Sequence, residues 1–260
     1  MLVEPDRSAY DLKFRLFGFP VRVHPWFWLL TVLFGASAFE RYGPQYLVAW
    51  VGVVFVSILV HELGHALAFR WFGVDSHVVL YSFGGLAVPW GVVPGRWRRV
   101  VVSLTGPAAG FVLFGAVYAS NLAFGWGDDH GRGFGKPSLA AEVFRNLVFV
   151  NLAWGLVNLL PVFPLDGGQV AQEACGALSP RNGVRVALEI SVGVAGLVCL
   201  YSLACEFEGR RGGGWLSDLP DWFPRGSFYT ALLFGMLAYQ SYQQLQHSKW
   251  TDAHWSARGR

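Results

Sequence analysis

The sequence predicts a membrane protein of the all-α class: a polytopic bundle of about six transmembrane helices with a small membrane-associated β-sheet or hairpin. Three observations lead there. Of 260 residues, 53% are hydrophobic and only 14% charged, where a soluble domain carries roughly 25% charge. Six apolar runs, at 25–39, 46–72, 100–125, 141–160, 184–205 and 227–244, approach or exceed the roughly 20 residues that a helix needs to cross a bilayer. Trp26, Trp71, Trp97, Trp126, Trp222 and Trp250 fall at or just beyond the ends of those runs, where an indole keeps its ring in lipid and its N–H among headgroups.

The elements follow in chain order. Residues 14–23 alternate apolar and polar around Gly18-Phe19-Pro20, the period of a short strand pair or an interfacial strand. The run at 25–39 ends in Ala36-Ser37-Ala38, which has the form of a signal-peptide cleavage site. A retained span is the expectation, because the leader is long and contains its own alternating segment. The second run is the longest, and His61-Glu62-Leu63-Gly64-His65 lies near its end. Residues 74–86 are β-branched and aromatic, broken at Gly84-Gly85, and read as a hairpin at the membrane surface. Gly106-Pro107 lies in the third run and points to close helix packing. Pro161 and Pro164 break the fourth near its end. The glycine-rich stretches 126–137 and 206–226 read as external loops, and the tail after 247 as too short to fold alone. The chain reads as one integral-membrane domain over 1–260, its core at about 46–170 and accessory spans at about 184–245.

Charge orients the bundle and excludes one class of partner. A net charge of +3 is too small to call for nucleic acid. With a cytoplasmic N-terminus, Arg7, Lys13, Arg15, Arg22, Arg70, Arg96, Arg98, Arg99, Arg181, Arg185, Lys249, Arg258 and Arg260 face the cytoplasm. Arg41, Arg132, Lys136, Arg210, Arg211 and Arg225 face the other side. That excess fits the positive-inside rule. It places both termini and His61–His65 at the cytoplasmic face of a plasma (inner) membrane. Cys175, Cys199 and Cys205 imply no disulfide framework. Nothing in the sequence signals an oligomeric state.

Residues four apart on a helix share a face, so His61 and His65 can hold one metal ion together. Glu62 is turned aside, placed to take a proton from a metal-bound water. Ionisable groups inside an apolar run are expensive and usually functional. A catalytic zinc takes three protein ligands and keeps a fourth position open. Asp166, beyond the two prolines and followed by Gly167-Gly168 at a permitted tight turn, is the third-ligand candidate; the alternative is a carboxylate that caps a helix. Asn158 is a site residue, a cap of the broken helix or a bond to a neighbouring helix, and Asn151, Trp154 and Asn158 share a face that is either a packing seam or a cleft wall. The 74–86 strand edge needs a partner, and a substrate peptide can supply it. Gly84 and Gly85 are either that docking rail or a plain turn. His24, just before the first run, reads as interfacial, and Glu189 as a residue reaching the interface.

Together these segments resemble the site-2 protease family of intramembrane zinc metalloproteases. The likeness rests on 61–65, on 158–168, on Ser82-Phe83-Gly84-Gly85, on Gly106-Pro107 and on the opening 17–24. It implies one Zn2+ per chain held by His61, His65 and Asp166, with Glu62 activating the water. It implies that Asn158 positions substrate or stabilises the oxyanion, and that the Gly84-Gly85 hairpin holds substrate as an added strand. The chain has the form without a PDZ module or a CBS pair, which many relatives carry. The expected activity is zinc-dependent endopeptidase cleavage in or near transmembrane segments, in regulated intramembrane proteolysis. The partners would be a single-span membrane-protein substrate and the lipid bilayer. A catalytically silent zinc-binding scaffold, and a membrane zinc hydrolase acting on a lipidated peptide, are the alternatives. The intact Glu62 argues against the first and the hairpin against the second.

Overall fold

The computed structural model describes residues 4–82, 84–128, 136–211 and 226–258. They divide into two compact units, Met1–Asn158 and Leu159–Arg260.

The first unit opens with the expected strand pair, β1 (Leu12–Leu16) and β2 (Phe19–Val23). Phe17 and Gly18 form its turn with φ of 50° and 86°, the doubly positive pattern of a tight hairpin. Pro20 can donate nothing to a ladder, and β2 meets β3 (Ser76–Tyr81) in parallel only from Val21 to Val23, after that proline. β4 (Gly84–Pro89) then pairs with β3 antiparallel, giving a four-stranded sheet in the order β1-β2-β3-β4. The expected hairpin is present, but Gly84 and Gly85 are the first two residues of β4 and not its turn. The parallel join of β2 to β3 had no signature in the sequence.

Buried Arg22 on β2 gathers the N-terminal segment. Its guanidinium donates to Glu4 Oε1 at 2.7 Å and to Asp11 Oδ2 at 3.0 Å. His77 Nε2 lies 3.3 Å from Glu4 Oε1.

His24 caps α1 (Pro25–Tyr42) by accepting from the Trp26 N–H, which accounts for its place before the first run. Gly43, at φ 103°, reverses the chain into α2 (Pro44–Trp71). The two helices run antiparallel, with Trp50 Nε1 donating to the Thr31 carbonyl at 3.0 Å. The far end of α2 buries Ile58, Leu59, Leu63 and Ala66 against Val21, Val23, Val78 and Leu80 of the sheet. The sheet is thus fixed beside the stretch of α2 that carries His61, Glu62 and His65.

α3 (Arg96–Phe124) lies against α2. A Cβ on Gly64 would collide with the Thr105 carbonyl and lie 2.9 Å from Ala109 Cβ. Glycine there permits the close helix approach that apolar packing within lipid exploits. The fourth run is α4 (Leu139–Phe149), a π-helical stretch Val150–Trp154, and α5 (Gly155–Asn158). Within the π stretch, Asn151 Nδ2 donates to Ser57 Oγ on α2 at 2.9 Å. That resolves the Asn151 position as a polar packing seam.

The second unit consists of the segment 159–165 and three helices, α6 (Asp166–Leu178), α7 (Gly183–Arg211) and α8 (Phe228–Arg258), with α7 packed on both others. α7 and α8 both extend beyond the expected 184–205 and 227–244. Residues 206–211, expected as loop, and the tail from 247 to 258 are helical. The centres of the two expected loops, 129–135 and 212–225, lie outside the described residues, as does Phe83.

Among the described residues, four helices are long and apolar enough to cross a membrane: Pro44–Trp71, Arg96–Phe124, Leu139–Asn158 and Gly183–Glu208. The first and sixth expected spans form helices, α1 and α8, that do not meet that measure. α1 has 18 residues and ends in Glu40 and Arg41, and α8 turns polar after Tyr239.

Candidate metal centre

His61 and His65 stand one turn apart on α2, each 7% exposed. Their Nε2 atoms approach to 3.2 Å and their ring centroids to 4.9 Å. Two nitrogens each ~2.0–2.1 Å from a tetrahedral zinc lie roughly 3.3–3.4 Å apart, so the pair has the spacing of two ligands on one ion. His65 Nδ1 lies 2.7 Å from the Val102 carbonyl of α3. A carbonyl only accepts, so Nδ1 carries the proton and Nε2 presents its lone pair towards His61. An imidazole ligand held through its other ring nitrogen by a backbone carbonyl is the arrangement that zinc sites use.

The room for both rings comes from α3. A Cβ on Gly106 would overlap His65 Nε2 and lie 2.8 Å from His61 Nε2. Gly106-Pro107 was legible as a packing motif; that it is the wall facing the imidazoles was not, nor was Val102 as the acceptor that sets the tautomer. The donor set, its spacing and this glycine cradle together fit zinc.

Glu62 is 6% exposed. A Cβ on Gly85 would lie 2.7 Å from Glu62 Oε1 and 2.7 Å from Cδ, whereas one on Gly84 would meet nothing within 4 Å. The backbone of the edge strand β4 therefore runs directly over the carboxylate. The two glycines that the sequence offered as a pair have different roles. The first unit thus brings together His61, Glu62, His65 and Gly85.

Asn158 is buried as the last residue of α5. Its side-chain amide makes no hydrogen bond among the described residues, so it neither caps the broken helix nor ties to a neighbour. Asp166 belongs to the second unit. It is 7% exposed, opens α6, and follows Leu165 at the cap position, so it is not the cap itself. A Cβ on Gly167 would overlap the Leu159 carbonyl, and one on Gly168 would lie 2.5 Å from Val162 C. These glycines lie in helix and serve close backbone approach, in place of the tight turn expected of them. His61, His65 and Asp166 are all buried, and each offers one ligand atom.

Residues 136–201 match the profile of a family described as Peptidase family M50. That stretch includes Asn158 and Asp166. A candidate zinc metalloprotease of Mycobacterium tuberculosis, Rip3, is 34% identical over 239 residues, covering 84% of this chain and 57% of that protein. A second, from Synechocystis, is 27% identical over 235 residues, 84% of this chain and 55% of that protein. The chain spans just over half the length of these curated relatives. Among solved structures, a site-2 protease from Methanocaldococcus jannaschii shares the fold, with a TM-score of 0.55 at 20% identity over 90% of this chain and 94% of that one.

Proposed function

We propose that the chain is a zinc-dependent endopeptidase of the site-2 protease kind, acting on peptide bonds in or near transmembrane segments of membrane proteins, a reading that its match to Peptidase family M50 and its likeness to Rip3 support. The observation that carries this reading is the imidazole pair, Nε2 to Nε2 3.2 Å, with Glu62 beside it under an edge strand, all within a helix apolar enough to lie in a bilayer.

In this reading His61, His65 and Asp166 hold one zinc per chain. Bound there, the ion acidifies water towards a pKa of ~7 and polarises the scissile carbonyl. Glu62 takes the proton of the attacking water and delivers it to the departing amine. Its burial beneath β4 keeps bulk water from competing for that proton. Asn158, buried with its amide uncommitted, donates to the oxygen on which negative charge develops. The substrate is a single-span membrane protein. Its helix must open before cleavage, and the free edge of β4 replaces the hydrogen bonds lost in opening. The basic excess supports a site near the cytoplasmic face, and cleavage of a single-span substrate there would fit regulated intramembrane proteolysis.

The test pairs metal content with cleavage. Wild type and Glu62→Gln are purified, zinc is quantified, and both are assayed on a panel of single-span substrates. Both should hold one zinc, with the variant's cleavage at least ~100-fold slower. Zinc in both without cleavage by wild type would move the assignment towards a scaffold or a lipid hydrolase, and zinc in neither would overturn the site.

A further inference from the structure

The second unit buries two hydroxyls that the proposed chemistry does not use: Ser191 on α7 and Ser241 on α8, 1% and 0% exposed. Their Oγ atoms are 2.8 Å apart, and both reach the backbone of Phe163. The Phe163 N–H donates to Ser191 Oγ at 2.6 Å, and Ser241 Oγ donates to the Phe163 carbonyl at 3.0 Å. Each serine has one hydroxyl hydrogen. That of Ser241 is committed to the carbonyl, so Ser191 must donate to Ser241. A closed ring results, from amide to Ser191 to Ser241 to carbonyl, in which each hydroxyl gives once and accepts once. Bonds arranged in this way strengthen one another.

The ring sits where the backbone most needs partners. Phe163 lies between Pro161 and Pro164, two residues without an N–H, in non-helical chain that at membrane depth must be satisfied by protein. The same segment is tied internally by Val162 N–H to the Leu160 carbonyl at 2.7 Å and Leu165 N–H to the Val162 carbonyl at 2.8 Å. It is pressed against the first turn of α6, where a Cβ on Gly168 would lie 2.6 Å from Phe163 N. Asp166 begins that turn, three residues after Phe163.

We propose that Ser191 and Ser241 are positioning residues for Asp166, through which α7 and α8 set the carboxylate in place. This rests on the reading of Asp166 as a zinc ligand. It also gives the two helices beyond the core a purpose, since they complete the backbone of a segment that cannot complete itself. Packing alone would be served by alanine at either position; two hydroxyls directed at one residue's amide and carbonyl would not be needed.

The test measures zinc affinity of the full chain in detergent by competition with a chromophoric chelator. Ser191→Ala and Ser241→Ala should each weaken zinc by roughly 10-fold, as removal of a group that orients a ligand does. Because the ring acts through Asp166, Ser191→Ala should add less than about two-fold in an Asp166→Ala background. Ser202→Ala, which removes an equally buried serine of α7 outside the ring, should leave affinity unchanged. Ser241→Cys, close in volume and a weaker donor, should fall between wild type and alanine, and it serves if an alanine variant does not fold. Wild-type affinity in the serine variants, alongside loss in Asp166→Ala, overturns this inference and leaves the ligand reading intact. An equal loss in both backgrounds overturns it as well, because the effect would then bypass Asp166. Wild-type affinity in Asp166→Ala removes the ligand reading and the inference with it.

Discussion

At Gly106 a single hydrogen faces two imidazoles, and at Gly85 a single hydrogen faces the carboxylate beside them. A methyl group at either position has nowhere to go, but the consequences differ. Gly106→Ala pushes on His65 Nε2 and His61 Nε2, so zinc affinity and cleavage should fall together, by at least ~10-fold for zinc. Gly85→Ala pushes on Glu62, so zinc should stay while cleavage drops by up to ~100-fold, the scale of an ångström's misplacement in a reacting group. Gly84→Ala, facing open space, should change neither. Metal analysis beside a cleavage assay on the three variants checks all of this, and loss of zinc in Gly85→Ala would show that β4 supports the histidines instead. At this scale the sequence was informative wherever chemistry dictates spacing. His61, Glu62 and His65 declare themselves through the helical repeat. Gly85 could not be told from Gly84, because what separates them is a strand packed over a helix some twenty residues earlier in the chain.

Elements were legible where their periodicity was local. The 14–23 alternation became β1 and β2, and the apolar runs became helices. The π-helical stretch at Val150–Trp154 was not legible, because it depends on a partner: Asn151 reaches Ser57 across to α2. The same holds for the segment 4–11, which carries no secondary-structure signal and is held on the sheet by Arg22. Burial raises the carboxyls of Glu4 and Asp11, but hydrogen bonds from His77 and Arg22 to Glu4, and from Arg22 and the Ser8 amide to Asp11, outweigh it and leave both below their ordinary values. Carboxyls depressed on folding add stability above their unfolded pKa, ~4, and lose it as pH falls through the lower folded values. The segment should therefore be retained at neutral pH and loosen progressively as the pH falls below the ordinary carboxylate range. Hydrogen exchange along residues 4–11 at pH 6 and pH 3, corrected for intrinsic rates, checks this; protection unchanged at pH 3 would count against the ion pairs as its anchor.

For the molecule as a whole, composition identified a membrane protein, and the spacing of apolar runs located the starts of its helices to within a few residues, while α7 and α8 run on past the expected ends. The number of spans was harder to read, because α1 and α8 have borderline hydropathy that no residue pattern resolves. The zinc reading makes a prediction at this scale. Its three ligands come from sequence positions a hundred residues apart, so the ion should act as a cross-link within the fold. Zinc at 100 times its Kd adds about 2.7 kcal/mol to stability. Chelation should lower the thermal unfolding temperature, zinc should restore it, and Asp166→Ala should be insensitive to both; an Asp166→Ala protein that still responded fully would place the ligand elsewhere.

The parallel join of β2 to β3 also sets a schedule for synthesis. Val21 waits for Val78, and everything between them is the α1–α2 hairpin. At 5–20 residues per second, roughly 3–11 s pass between the emergence of the two strands. During that interval the first hairpin has one edge open. The sheet that frames Glu62 closes only after the whole of α2 has been made, so the site is assembled late in synthesis.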